Sequence, residues 1–101
     1  MVNGIRHDRS LVVLSDRLIT DWNPANVAAL SSADLTPLAV LGCEIVILAT
    51  GAKLRFPRPE ILRPLLDAHI GVEVMNVPAA CRTYNILLAE DRKVAAAFLL
   101  G

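Results

Sequence analysis

Glu44-Ile45-Val46-Ile47-Leu48-Ala49-Thr50 is a near-continuous apolar run, closed by Gly51. A run this short and this rich in β-branched residues reads as a strand buried on both faces, as parallel sheets bury theirs. Two comparable runs follow, Val72-Glu73-Val74-Met75-Asn76 and Val94 to Leu100. Between the first two, Pro59 suits the first position of a helix reaching about His69, with Phe56 available to pack against it. Pro64 lies within that span, where it removes a hydrogen bond and predicts a kink. Between the second and third, Pro78 opens a helix to about Arg92. Its Ala80, Tyr84, Leu87 and Leu88 recur at helical spacing and form the expected buried stripe. The order β-α-β-α-β predicts an α/β domain with at least part of its sheet parallel. The strand from Gly71 to Asn76 is expected inside that sheet, with Val72, Val74 and Met75 buried and Glu73 alone facing out.

Upstream the pattern is weaker. Ser10 to Leu14 reads as a strand, Ser15-Asp16 as a turn, and Leu18 to Trp22 as the hairpin partner, ended by Asn23-Pro24. Ala25 to Ser32 is ambiguous. Asp34 is placed to cap a short helix over Leu35 to Leu41, with Pro37 in its first turn. Asn3-Gly4 is a hairpin-turn signal preceded only by Met1 and Val2, so either the start is irregular or a longer natural N-terminus is missing.

The 101 residues form one expected domain, 1–101, large enough for a core without staples. Ten Lys and Arg balance ten Asp and Glu, which argues against nucleic-acid binding, because phosphate neutralisation needs a clustered basic excess. Hydrophobic residues make up 54%, which excludes a disordered chain and leaves a surplus for a partner or self-association surface. The most apolar stretch, Leu38 to Ala52, is interrupted by Glu44 and is too short to span a membrane. Two cysteines, Cys43 and Cys81, make no disulfide framework, and a reducing, cytoplasmic-type compartment is the simplest expectation.

Open α/β sheets bind ligands outside the carboxyl ends of their parallel strands. Here that places Thr50, Gly51 and Asn76 at a candidate cleft, with Phe56 and Pro57 on one side. The helix start carrying Cys81, Arg82, Thr83 and Asn85 stands on the other. Cys81 is open to two readings: a thiolate activated by a helix start and a guanidinium, or a small buried apolar residue. Arg82 could hold a carboxylate or phosphate, or pair internally with Glu90 or Glu73; the second is favoured narrowly. Lys53, Arg55, Arg58 and Arg63 cluster on one loop and helix start, either to attract an acidic partner or as a solvated rim. No glycine-rich phosphate cradle, metal-ligand spacing or nucleophile-base pair occurs, so no cofactor and no metal are expected.

From Gly71-Val72-Glu73-Val74-Met75-Asn76 through Ala79-Ala80-Cys81-Arg82-Thr83-Tyr84-Asn85-Ile86-Leu87, the sequence resembles the small Mth-like α/β domain family. That family contains the mitochondrial NADH dehydrogenase (complex I) assembly factor three, the adipogenesis-associated Mth-like domain protein and uncharacterised bacterial and archaeal proteins. Further matches are Val2-Asn3-Gly4, Ser10-Leu11-Val12-Val13, Thr50-Gly51, Phe56-Pro57-Arg58-Pro59-Glu60 and Ala89-Glu90-Asp91-Arg92. The resemblance implies a three-layer α/β fold, with a mixed central sheet, flanking helices and an added β-hairpin. The family often has Gly-Thr-Gly where this chain has Ala49-Thr50-Gly51, Asp-Thr at Asn76-Val77, and Glu-Gly-Arg at Glu90-Asp91-Arg92. The resemblance carries over no established enzymatic activity, because the family has none that is general. The expected function is a non-enzymatic assembly or interaction factor with protein partners, possible respiratory-complex subunits among them, cytoplasmic in a bacterium or in the mitochondrial matrix of a eukaryote. The alternative is a small-anion binder or enzyme working at the Cys81-Arg82 cleft.

Overall fold

The computed structural model describes residues 10–20, 22, 24, 29–51 and 56–99. The Asn3-Gly4 signal, Lys53 and Arg55 lie outside the described residues. In chain order the elements are β1 (Leu11–Val13), β2 (Leu18–Ile19), α1 (Ser32–Leu35) with a 3-10 turn at Thr36–Val40, and β3 (Ile45–Ala49). A second 3-10 turn at Pro59–Leu62 then leads into α2 (Arg63–Asp67), β4 (Gly71–Met75), α3 (Val77–Ala89) and β5 (Val94–Phe98). The five strands make one sheet in the order β2-β1-β5-β3-β4. β3 runs parallel to β4 and β5, whereas β1 is antiparallel to β2 and β5. The sheet is therefore mixed, and the hairpin is added at its β5 side.

The two central strands are the two most apolar. Every residue of β5 is buried, and Ile47 in β3 is 0% exposed. Strand alternation sends Val46, Leu48, Ala95 and Ala97 to one face, under Trp22, Leu35, Leu38, Ile61 and Leu65. Ile47, Ala49, Val94, Ala96 and Phe98 go to the other, under Ala80 and the half-buried Cys81, Tyr84 and Leu87 of α3. The result is the three-layer arrangement, with α1 and α2 on one face and α3 on the other.

Three local expectations need correction. β4 is the edge strand rather than an interior one: Val72, Val74 and Met75 are only half-buried, and Gly71 joins Glu73 in being exposed. The connection from β4 passes over β3 to reach β5, which leaves β4 outermost. The Val-Glu-Val alternation is that of a strand with one covered face. The helix expected from Leu35 begins at Ser32 instead, and its cap is Ser31, not Asp34. Asp34 sits at the third helical position. Its carboxylate accepts from Ser31 N (2.9 Å) and Ser31 Oγ (3.1 Å), and its carbonyl accepts from Trp22 Nε1 (2.8 Å). Pro64, finally, does not kink one long helix. The segment splits into a 3-10 turn opened by Pro59 and a short α2, with Pro64 in its first turn, where a missing N–H is harmless.

α2 and α3 end in the same way. His69 N donates to Leu66 O and Ile70 N to Leu65 O (both 3.0 Å). Asp91 N donates to Leu88 O (3.1 Å) and Arg92 N to Leu87 O (3.0 Å). Each pair is a Schellman motif, whose left-handed residue is usually glycine. Here these residues are His69 (φ 59°) and Asp91 (φ 60°).

Candidate functional site

The strand order puts the topological switch point between the carboxyl ends of β3 and β4. β3 is connected to β4 through α2 on one face and β4 to β5 through α3 on the other, the condition for a switch-point crevice. Its lips are bonded to each other. Thr50 N donates to Met75 O (3.0 Å) and Val77 N donates to Gly51 O (2.8 Å); on the other side of β3, Leu99 N, just past β5, donates to Ala49 O (2.9 Å). Gly51 makes this turn at φ +94°, a conformation that suits glycine alone.

The candidate side chains at this end have structural occupations or diverge. Thr50 is buried, and its hydroxyl lies 3.5 Å from Met75 O. Asn76 is the N-cap of α3: its Oδ1 accepts from Ala79 N (3.0 Å). Pro57 is buried while Phe56, its neighbour, is 73% exposed. Cys81 faces the sheet, half-buried with Tyr84 and Leu87. Arg82 and Asn85 are exposed on the outer side of α3, with Thr83 half-buried between them. Consecutive helical residues point about 100° apart, so Cys81 and Arg82 do not converge. The ion pair expected from Arg82 to Glu73 or Glu90 does not form; Arg82 makes no ion pair among the described residues. Arg58 and Arg63 belong to solvated pairs, with Glu60 (3.6 Å) and Asp67 (3.5 Å). Cys43 and Cys81 are both free thiols.

The open space is at the opposite end. A depression of about 530 Å³ lies at the amino ends of β3 and β5. Its rim is built from the hairpin turn Ser15-Asp16-Arg17, from Gly42-Cys43, and from Asp91-Arg92-Lys93. Partial burial pushes the Cys43 thiol up from its ordinary range, Arg17 draws it back, and Asp16 adds to the rise. Burial likewise raises the Tyr84 phenol, with Cys43 and Asp16 contributing. Glu44 ties this end together. Its backbone N donates to Lys93 O (2.9 Å), and its carbonyl accepts from Gly71 N (2.9 Å). Its Oε1 accepts from Arg92 Nε (2.7 Å) and Lys93 N (3.2 Å). The Arg92 hydrogen bond, first among these causes, holds the Glu44 carboxyl below the usual carboxylate range. No group of three His, Cys, Asp or Glu side chains among the described residues could hold a metal ion.

Reading strands singly missed this end, although it leaves a trace in the sequence. With Ile45 paired to Val94, the residues just ahead, Cys43-Glu44 and Arg92-Lys93, fall side by side with opposite charges. The trace appears only once the two strands are known to be parallel neighbours.

Comparison with known proteins agrees with this fold. The zebrafish (Danio rerio) NADH dehydrogenase [ubiquinone] 1 alpha subcomplex assembly factor 3 is 35% identical over 83 residues, covering 80% of this chain and 48% of that protein. The chain spans about half the length of the curated relatives it matches. The solution structure of a Xanthomonas campestris protein superposes with a TM-score of 0.89 at 32% identity, over 98% of this chain and 75% of that one. A Mth938-like domain from Bordetella pertussis gives 0.79 at 28% identity, over 96% of this chain and 77% of that one. Residues 1–99 match the family described as protein of unknown function (DUF498/DUF598), and the chain belongs to that family.

Proposed function

We propose that the chain is a protein-binding assembly factor, acting on a respiratory NADH dehydrogenase during its construction, and that it works by surface recognition rather than catalysis. The observation that carries this reading is its kinship with proteins named as assembly factor 3 of that complex, 36% identical over 98% of this chain in the human case. The fate of the polar residues at the carboxyl ends supports it. Asn76 is engaged as a cap and Thr50 is buried, while Cys81 and Arg82 point apart. The partners are then subunits of the growing complex. No described helix is long and apolar enough to cross a membrane.

Deleting the chain from cells that make it, then resolving respiratory complexes on native gels, tests this. Partly built NADH dehydrogenase should accumulate and NADH:ubiquinone oxidoreductase activity should fall, both restored by the intact chain. A wild-type level of assembled complex would overturn the proposal. A thermal-shift screen with small anions and nucleotides separates the alternative: ligand at a hundred times its dissociation constant adds ~2.7 kcal/mol of stability. A shift of that size would move the reading toward a small-molecule site.

A further inference from the structure

The two edges of the sheet are unlike. One edge, β2, is two residues long, Leu18–Ile19. The other, β4, is five residues long and paired to β3 along its whole length, from Ile45–Gly71 to Ala49–Met75. Edge strands are usually blunted by brevity, bulges, proline or lysine. β2 is blunted by brevity. β4 has no proline, lysine or break in register, and its one charge is Glu73.

The backbone of β4 can be assigned group by group. Gly71 N donates to Glu44 O and Met75 O accepts from Thr50 N, so residues 71, 73 and 75 turn their polar groups toward β3. The N–H and C=O of Val72 and Val74 therefore point outward, and no strand pairs with β4 on that side among the described residues. Groups just beyond are committed. Ile70 N is bonded to Leu65 O (3.0 Å), and Asn76 O accepts from Ala80 N (2.9 Å). The side chains alternate: Val72 and Val74 pack toward the α2 face, Met75 toward the α3 face. Glu73 shares Met75's face and is exposed there, because α3 lies over β3 and β5.

These facts discriminate between occupants. A second copy could pair antiparallel through β4, but only one symmetric register uses the outward groups of both Val72 and Val74 on both copies. That register places Glu73 directly opposite Glu73 of the other copy, at a non-hydrogen-bonded pair with Cα atoms ~4.5 Å apart. Like charges so placed are destabilising. A different chain with a cation at that position turns the same repulsion into attraction. We infer that β4 accepts an extended segment of a partner protein as a sixth strand, carrying Lys or Arg opposite Glu73 and apolar residues opposite Val72 and Val74. This rests on the reading of the chain as a protein-binding module and gives that reading a recognition mode.

The test uses two synthetic peptides, Thr-Thr-Val-Lys-Val-Thr-Thr and the same sequence with Glu for Lys, titrated into isotope-labelled protein. The lysine peptide should move the Val72 and Val74 amide signals and slow their hydrogen exchange. It should bind about fivefold more tightly than the glutamate peptide, the ratio expected of a cross-strand charge pair. Glu73→Lys, an exposed change that leaves the rest of the spectrum in place, should invert the preference. Three results would overturn the inference: signals moving elsewhere, equal binding of both peptides at β4, or concentration-dependent pairing of β4 without peptide. If neither peptide reaches β4 yet deletion still stalls complex assembly, the strand-docking inference fails and the assembly reading stands. If the lysine peptide docks as described and deletion leaves assembly intact, the assembly reading fails and the β4 site stands.

Discussion

The carboxyl and amino ends of β3 divide the work of the fold differently. At the carboxyl end the switch point of the topology is laced by backbone hydrogen bonds, and Thr50 and Asn76 are spent on the chain's own geometry. At the amino end, no rule of strand order calls for a site. There the hairpin turn, the residues before β3 and those after α3 surround a depression, and Glu44 is bonded to two of its rim residues, Arg92 and Lys93. A switch point supplies two diverging chains, and a binding site also needs those chains to leave backbone groups unspent. Here Thr50 N is spent on Met75 O and Val77 N on Gly51 O.

The largest expected effect is at the carboxyl end. Gly51→Ala meets no steric obstacle, since its nearest contact would be Leu99 O at 3.7 Å, but it forces alanine to φ +94°. Stability should fall by about 1–3 kcal/mol, the usual expense of a strained backbone position. A denaturation midpoint equal to wild type would show that the turn is not held as described. Next is the cap of α3. Asn76→Ala removes the acceptor for Ala79 N and should lower stability by about 1 kcal/mol, whereas Asn76→Asp should keep most of it. Equal losses in the two variants would mean that Asn76 does something other than cap.

Much of this was readable from the residues, and the limits have physical causes. The apolar runs of β3 and β5 and the proline-opened α3 were legible because burial on two faces and a helical stripe leave strong periodic signals. The position of β4 was not, because which strand ends a sheet is decided by how connections cross, and Val72 to Met75 reads the same inside or at the edge. Asp34 and Ser31 are both good caps, and only the hydrogen bonds to Ser31 and Trp22 decide between them. At the candidate site, the positions of Thr50 and Asn76 were foreseen but their occupations were not. A side chain's availability depends on bonds that span many residues, as when Asn76 caps the helix it was expected to face.

At the amino end the expected effects are smaller, and the first of them is stabilising. Asp91 closes the Schellman motif of α3 at φ 60°. Aspartate tolerates this conformation better than most residues, yet glycine adopts it freely. Asp91→Gly should raise stability by up to about 1 kcal/mol, and His69→Gly at the matching position of α2 should do the same. A loss in either variant would mean that the side chain holds the motif by a bond of its own.

The smallest effect is the pH dependence of Glu44. Its hydrogen bonds from Arg92 and Lys93 lower the folded-state pKa below the unfolded value, which for glutamate is about 4.3. The folded state therefore binds this proton less readily than the unfolded chain does. The contribution of the carboxylate is fully present above the unfolded pKa and is lost as pH falls through the folded one. Melting temperature measured from pH 6 to pH 3 should fall more steeply for the wild type than for Glu44→Gln, with the curves parting as pH falls through the ordinary carboxylate value and on below it. The difference should be small and should shrink in high salt, because both side chains of the pair are nearly half-exposed. Parallel curves at low salt would show that Glu44 joins the amino ends of β3, β4 and β5 through its backbone alone. The 2.7 Å contact with Arg92 would then be incidental to the stability of the rim that Arg92 helps to form.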